Sequence, residues 1–108
     1  MSMGKSALFV RHRAKPGHRD DVRRVWEEYV KPRIEANTAH EAYYFCYDAH
    51  DVICVLQLYS DKDSMKCFLS GEWYSGYLSE VSQLVAEEPQ IILATPIWTN
   101  EVRKPVSK

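Results

Sequence analysis

Four short segments of the chain are rich in apolar and aromatic residues, and in the first of them apolar and polar positions alternate imperfectly. A period of two and short runs rich in aromatic and β-branched residues are both typical of β-strands, so each segment is predicted to be a strand. In the first segment, Leu8, Val10 and His12 share an apolar face, and Arg11 and Arg13 point away from it. The four predicted strands cover residues 7–14, 42–48, 52–59 and 90–99.

The segments between the strands have a helical period instead. From Arg19 onward, apolar residues recur every three or four positions, at Val22, Val25, Trp26, Tyr29 and Val30. Pro32 is expected to kink or end this helix, although Ile34 indicates a further turn. A short helix is predicted over residues 64–69, and a second helical segment over about 73–86.

The predicted elements follow the order β-α-β-β-α-β, which is the arrangement of ferredoxin-like domains. The fold class is therefore α+β, an antiparallel sheet with helices on one face. We expect one domain over residues 1–108, with an ordered core at about 6–99 and a polar C-terminal tail at 100–108.

The short connection between the second and third strands predicts a β-hairpin, with its turn centred between Ala49 and His50. Residues directly opposite one another then pair as Tyr47 with Val52, Phe45 with Cys54, and Tyr43 with Leu56. This register places Cys46 and Cys54 on opposite faces of the sheet, which disfavours a disulfide between them.

Both faces of this hairpin are apolar. The face against the helices would carry Tyr43, Phe45, Tyr47, Val52, Cys54, Leu56 and Leu58. The reverse face would carry Tyr44, Cys46, Asp48, Ile53, Val55, Gln57 and Tyr59. Burying one Ile or Val side chain contributes roughly 1.5–3 kcal/mol, so a small domain gains much by covering both faces. An apolar outer face is typical of an interface, and we predict a homodimer formed through this sheet face.

Composition excludes several classes of function. The formal net charge of the 108 residues is -1 and no basic stripe occurs, so no nucleic-acid partner is expected. The first apolar run, residues 7–10, is too short for a signal peptide or a membrane span, which predicts a cytoplasmic protein with no membrane partner. The three cysteines and four histidines lack metal-ligand spacing, and no dinucleotide or phosphate-binding motif occurs, so we expect neither metal nor cofactor.

Three short motifs, taken in order, resemble one known family. Residues 10–17 (Val-Arg-His-Arg-Ala-Lys-Pro-Gly) form a strand and turn, residues 57–61 (Gln-Leu-Tyr-Ser-Asp) precede a short helix, and Glu88-Pro89 precede the last strand. Their order and spacing are similar to those of the antibiotic-biosynthesis monooxygenase domain over nearly the whole chain. The resemblance implies a dimeric α/β barrel with a ligand cleft between sheet and helices. It also implies, for some members, oxidation of polycyclic aromatic compounds or quinols by dioxygen without bound metal or flavin.

The chain departs from the family pattern at two positions that carry acid or base groups. The frequent glutamate is Gln57 here, and the histidine common in the following helix is replaced by Phe68. The haem-degrading branch uses an Asn, Trp and His set, and neither the Asn nor the His has a match in this sequence. Haem degradation is therefore disfavoured.

The candidate site residues are one histidine and a set of aromatic side chains. His12 suits proton abstraction from a phenol or quinol, although a histidine bonded to backbone is the structural alternative. Tyr77 is the second catalytic candidate, because its hydroxyl suits holding a substrate oxygen. The predicted substrate-binding residues are Phe68, Trp73, Tyr43 and Phe45. Packing in the core explains Trp73 and Tyr77 about as well, and it explains at least two of Tyr43, Phe45 and Tyr47 better. The remaining histidines, His18, His40 and His50, are expected to be solvated.

Three functions are compatible with these residues. The first is a cofactor-independent monooxygenase acting on a small aromatic or quinol-like compound. The alternative is a non-catalytic module that binds a small molecule in the same cavity, which the missing acid and base groups favour. Isomerase or lyase chemistry on a ring substrate remains a third alternative, because one fold hosts several reactions.

Overall fold

The predicted strands and helices correspond to eight elements in the computed structural model, which describes residues 4–100. The elements are β1 (Ser6–Arg13), α1 (Arg19–Tyr29), α2 (Lys31–Ala36), β2 (His40–Tyr47), β3 (Val52–Tyr59), α3 (Lys62–Leu69), α4 (Glu72–Ser82) and β4 (Gln90–Ala94). The predicted β-α-β-β-α-β order is confirmed, with each helical region divided in two. Most of the predicted C-terminal tail, residues 101–108, lies outside the described residues.

The four strands form one antiparallel sheet in the order β2-β3-β1-β4. The helices pack on one face of it. Val22 of α1 and Val81 of α4 form a buried cluster with Ile53 of β3, and Met65 of α3 packs against Tyr59. The α+β ferredoxin-like fold predicted from the sequence is therefore confirmed.

Proline and a capping aspartate set several element ends. Pro32 lies in the first turn of α2, where a missing N–H is tolerated, so the helical stripe divides at Val30. The strand predicted to run to Thr99 ends at Ala94, before Pro96, because proline cannot donate to the ladder. The side chain of Asp61 caps α3 by accepting a hydrogen bond from the backbone N–H of Ser64 at 2.7 Å.

The predicted hairpin register is wrong by one residue. The turn has an odd number of residues, Ala49 to Asp51, because the backbone N–H of Asp48 donates to the carbonyl of Val52 at 2.8 Å. Both His50 and Asp51 adopt positive φ angles, of 58° and 65°. A one-residue shift moves every side chain of a strand to the other face. The observed pairs are Tyr43 with Gln57, Tyr44 with Leu56, Phe45 with Val55, Cys46 with Cys54, and Tyr47 with Ile53.

This shift exchanges the two faces of β3. Gln57 and its alternate neighbours Ile53, Val55 and Tyr59 face the helices, and Val52, Cys54, Leu56 and Leu58 lie on the outer face. The prediction that the two strand cysteines lie on opposite faces is also wrong. Cys46 and Cys54 are directly opposite one another on the outer face, and both are free thiols.

The outer face is nevertheless apolar, as predicted, but with different residues. Its large exposed side chains are Phe9 (41% exposed), Tyr44 (58%) and Ile92 (58%). Leu56 and Leu58 lie between them and are only partly covered. The sheet therefore presents apolar surface both to the helices and away from them.

Candidate functional site

A small cavity lies between the helix-facing side of the sheet and helices α3 and α4. Its volume is about 70 Å³. The sheet side is formed by Val10, His12, Tyr43, Val55, Gln57 and Ile91, and the helix side by Phe68, Leu69, Trp73, Tyr74, Tyr77, Leu78 and Val81. This surface is mostly apolar and aromatic, with a few polar groups, which is typical of sites for small organic ligands.

His12 contributes an imidazole to this cavity from β1, as the alternation in that strand predicted. The side chain is only 5% exposed. Its Nδ1 atom is fully buried and has no hydrogen-bond partner among residues 4–100, so the alternative of a backbone-bonded nitrogen does not hold for this atom. Burial lowers the pKa of His12 below its ordinary value. The imidazole is therefore neutral near pH 7 and is able to accept a proton.

Tyr43 presents a phenol from β2 whose oxygen already accepts one hydrogen bond. The indole Nε1–H of Trp26 donates to the Tyr43 hydroxyl oxygen at 2.9 Å. Because an indole nitrogen only donates, the hydroxyl proton of Tyr43 must point elsewhere. Burial raises the pKa of Tyr43 well above its ordinary value. The phenol therefore stays neutral and its O–H group is available as a donor.

Two further phenols reach the cavity from α4. Burial raises the pKa values of both Tyr74 and Tyr77, and the neighbouring phenols Tyr43 and Tyr74 raise that of Tyr77 further. Neutral phenols are donors as well as acceptors. Tyr77 and Tyr43 line the same cavity, and the role predicted for the Tyr77 hydroxyl stays a prediction.

Phe68 and Trp73 form the aromatic end of the cavity. Their rings meet edge to face, with centroids 5.1 Å apart. The indole of Trp73 lies against Gly71, where an added Cβ would stand only 2.3 Å from the indole Nε1. Only glycine permits this close approach, so a larger residue at position 71 would force the indole to move.

Phe45 is predicted to line the same cavity, but the structure places it elsewhere. Its ring packs against Trp26 of α1, with centroids 4.4 Å apart, and lines a surface groove beside Tyr47 and Arg23. The reason is that β2 lies at the edge of the sheet, and the side chain of Trp26 covers Phe45. Of the predicted residues, His12, Tyr43, Phe68, Trp73 and Tyr77 line one cavity, and their roles stay predictions.

The prediction that His40 is solvated is wrong. His40 begins β2 and is half-buried, with its ring centroid 4.3 Å from Tyr59 and 4.5 Å from Phe68. Its Nδ1 lies 2.8 Å from Nδ2 of Asn37, and its Nε2 is buried without a partner among the described residues. Burial lowers the pKa of His40, and the side chain of Gln57 raises that pKa by a smaller amount.

A β-bulge explains why the sequence pattern missed His40. The register shifts between His40 and Ala42, so that His40 pairs with Tyr59 and points toward the helices. Strict alternation back from Tyr43 would have put Glu41 on that face instead. The sequence carries no signal for such a bulge beyond the proximity of Asn37 and Thr38, which are turn-forming residues.

Gln57 is a polar group that the corrected register brings into the cavity. Its side-chain oxygen accepts a hydrogen bond from the hydroxyl of the fully buried Tyr59. The position where the resembled family frequently has a glutamate therefore faces the cavity here with a neutral amide. An amide supplies hydrogen bonds but no proton-accepting carboxylate.

Metal-ligating side chains do not cluster in the described part of the chain. No group of at least three His, Cys, Asp or Glu residues within residues 4–100 is arranged to hold a metal ion. None of the helices in the same range is long and apolar enough to cross a membrane.

Solved structures with this fold come from several bacteria. One from Caulobacter crescentus, described as a "putative antibiotic biosynthesis monooxygenase", has a TM-score of 0.81 and 14% identity, covering 89% of this chain and 92% of that chain. NE2512 from Nitrosomonas europaea, a protein of unknown function, has a TM-score of 0.78 and 20% identity, covering 94% and 98%. Rv0793 from Mycobacterium tuberculosis has a TM-score of 0.79 and 15% identity, covering 90% and 99%.

Sequence comparison adds nothing to these likenesses, because no protein-family model and no curated protein matches the chain. The identities of 14% and 20% are low, so the likenesses establish the fold alone. The chain therefore has the same ferredoxin-like fold as proteins described as antibiotic biosynthesis monooxygenases, in agreement with the resemblance of its three sequence motifs.

Proposed function

We propose that this protein is a cofactor-independent monooxygenase acting on a small aromatic or quinol-like compound. The observation that carries the proposal is His12, a buried and neutral imidazole with an unpartnered nitrogen at an aromatic cavity. Leaving a buried polar atom without a hydrogen bond costs about 1–3 kcal/mol, and such a group calls for an explanation. A ligand that donates a proton to the imidazole would explain why this nitrogen is left without a partner in the protein.

The cavity offers an acceptor and several donors for such a reaction. His12 takes the proton from a phenol or quinol whose keto tautomer carries an acidic CH₂ group. The hydroxyls of Tyr43 and Tyr77 donate to the oxygen on which negative charge develops. Electrons pass from the resulting carbanion to dioxygen, the oxidant. One oxygen atom becomes a carbonyl on the former CH₂ carbon, and the other leaves as water with its two protons.

Oxygen consumption is the direct test of this proposal. An oxygen electrode, a panel of phenols and quinols and the purified chain are sufficient. We expect uptake with at least one compound, reduced about a hundredfold in His12→Leu, because a general base contributes roughly 10²–10⁴-fold. A matched control is His50→Asn, which changes an exposed turn histidine and should retain full uptake. No uptake above the uncatalysed rate across the panel would contradict the proposal.

The second candidate, a non-catalytic small-molecule-binding protein, is favoured by Gln57. A neutral amide stands where the resembled family frequently has a carboxylate, so the cavity has one proton acceptor fewer. A ligand that raises the melting temperature without oxygen uptake would identify this function. The same purified protein and compound panel serve both measurements.

We also propose that the chain works as a cytoplasmic homodimer formed through the outer face of the sheet. The exposed side chains of Phe9, Tyr44 and Ile92 support this assembly, because contiguous apolar patches on soluble proteins usually mark interfaces. The three free thiols suit a reducing compartment. Two such sheets packed face to face would remove both outer faces from water.

A further inference from the structure

We propose that the substrate carries an anionic group, such as a carboxylate, and that Arg33 binds this group in a groove adjoining the cavity. The inference deepens the proposed function, on which it rests, by naming the chemical class of the substrate. Three features of the molecule support this: the partition between cavity and groove, the free donors of Arg33, and the absence of acidic side chains among the residues that line the groove.

The groove runs along the surface between α2 and α3. It has a volume of about 460 Å³ and is lined by Arg33, Asn37, Thr38, Ser64, Phe68 and Trp73, among others. Phe68 and Trp73 also line the cavity. The two aromatic side chains therefore border both spaces and form the partition between the cavity and the groove.

The cavity is small for an aromatic ligand. Its volume is about 70 Å³, whereas an apolar cavity known to bind benzene measures roughly 150 Å³, so a substrate ring would extend beyond it. Rotation of Phe68 and Trp73 would join the cavity to the groove. A bound ring would then lie between His12 at one end and the groove at the other, with its substituents reaching Arg33.

Arg33 is positioned to bind an anion. Its guanidinium lies over the Trp73 ring, 4.9 Å from the centroid, and one Nη1–H donates to the carbonyl of Tyr29 at 2.6 Å. A guanidinium has five N–H donors, so most of its donors remain for a ligand. Within residues 4–100, no carboxylate forms an ion pair with Arg33.

The electrostatics of the groove favour the same class of ligand. Arg33 is the charged residue among those that line it, and no Asp or Glu side chain is present there. Asn37, Thr38 and Ser64 add neutral hydrogen-bonding groups. A planar guanidinium matches the two oxygens of a carboxylate, so an aromatic acid fits the combined site better than a neutral ring.

A pair of stable probe compounds tests the inference without any turnover. The probes are 2-naphthol, which is neutral, and 6-hydroxy-2-naphthoate, which adds one carboxylate to the same ring system. Calorimetry at low salt should show that the wild-type chain binds the carboxylate probe about fivefold or more tightly than 2-naphthol. The advantage should fall in Arg33→Gln, with binding of 2-naphthol unchanged, and persist in Arg24→Gln, an exposed α1 arginine outside the groove.

Each outcome decides the proposal. Equal affinities for the two probes, an advantage that survives Arg33→Gln, or no binding of either probe would overturn it. Failure of the monooxygenase proposal would appear separately, as binding of the carboxylate probe through Arg33 with no oxygen uptake from any phenol or quinol. Arg33→Lys should keep part of the advantage, because it retains the charge but loses the planar donor pair.

Discussion

At the scale of the residue, His12 is the buried imidazole that lines the cavity and on which the proposed chemistry depends. The imidazole is buried, its Nδ1 lacks a partner among the described residues, and its lowered pKa keeps it neutral near pH 7. A buried nitrogen without a hydrogen-bond partner lowers the free energy of unfolding. A ligand that bonds to it would remove this penalty. Residues that weaken the folded state are expected to concentrate at functional sites.

The first prediction concerns the pH dependence of stability. The folded pKa of His12 lies below the unfolded value of 6.5, so between these two values the unfolded chain binds a proton that the folded chain does not. The contribution of neutral His12 to the free energy of unfolding is therefore fully present above the unfolded pKa. It is lost as the pH falls from that value toward the folded pKa, by at most about 1.4 kcal/mol per pH unit. Urea unfolding at pH values from about 7.5 to about 5.5 measures this slope.

The His12→Leu variant supplies the comparison for that measurement. It should show a flatter pH dependence and equal or greater stability near pH 7, because an unpartnered polar group is replaced by an apolar one. The control His50→Asn retains the buried imidazole and should keep the wild-type slope. A His12→Leu protein with the wild-type slope would assign the acid sensitivity to other groups.

The second prediction concerns the hydrogen bond between Trp26 and Tyr43. Tyr43→Phe removes the acceptor of the part-buried indole N–H and should destabilise the fold by about 1 kcal/mol. In the Tyr43→Phe background, Trp26→Phe should lower the free energy of unfolding by less than it does in the wild-type chain. The reason is that the indole N–H no longer has a hydrogen bond to lose there. A double-mutant cycle by urea unfolding measures this coupling, and strictly additive effects would contradict it.

At the scale of the element, the β2–β3 turn sets the register of the hairpin. Its two consecutive residues with positive φ, His50 and Asp51, complete an odd turn of three residues. Histidine and aspartate tolerate this conformation better than β-branched residues do. The turn therefore decides that Gln57, and not Leu56, faces the cavity.

The third prediction follows from this backbone conformation. Asp51→Val should destabilise the chain by about 1–2 kcal/mol, because a β-branched residue is strained at a φ of 65°. Ala49→Val, in the same turn but without positive φ, should change stability by less than about 0.5 kcal/mol. Thermal or urea unfolding of the two variants provides the comparison. Equal losses would show that the left-handed conformation carries no cost.

At the scale of the whole molecule, the sheet has two apolar faces and the helices cover one. The outer face carries the cross-strand pair of Cys46 and Cys54 as well as Phe9, Tyr44 and Ile92. A single subunit would leave this surface in water. A second copy of the chain, packed on it, would make the apolar residues of both outer faces part of a shared core.

The fourth prediction tests that assembly. Ile92→Lys places a charge on the outer face and should shift a dimer toward single subunits at micromolar concentration, whereas Ser79→Lys on the exposed side of α4 should not. Sedimentation equilibrium measures the change. In the dimer, Cys46 should also react with iodoacetamide more slowly than Cys67, although both are exposed in the single subunit. A wild-type chain that stays a folded single subunit would contradict the proposed assembly.

The sequence by itself determined the order of the elements and the class of the fold. Alternation in β1 and the stripe from Val22 to Val30 are local patterns, and local periodicity is sufficient to distinguish a strand from a helix. The same patterns placed His12 on the helix-facing side of β1, and the family resemblance implied the cleft in which Phe68, Trp73 and Tyr77 were expected. Within a single element, the side chain's direction follows directly from its position.

The tertiary structure alone decided how the elements meet. The phase between β2 and β3 depends on the backbone conformation of three turn residues, and the inward direction of His40 depends on a bulge. Phe45 is outside the cavity because Trp26 of α1 covers it, and Gln57 is inside because the turn is odd. These outcomes depend on contacts between residues that are distant in sequence, and a local pattern of apolar and polar positions carries no information about such contacts.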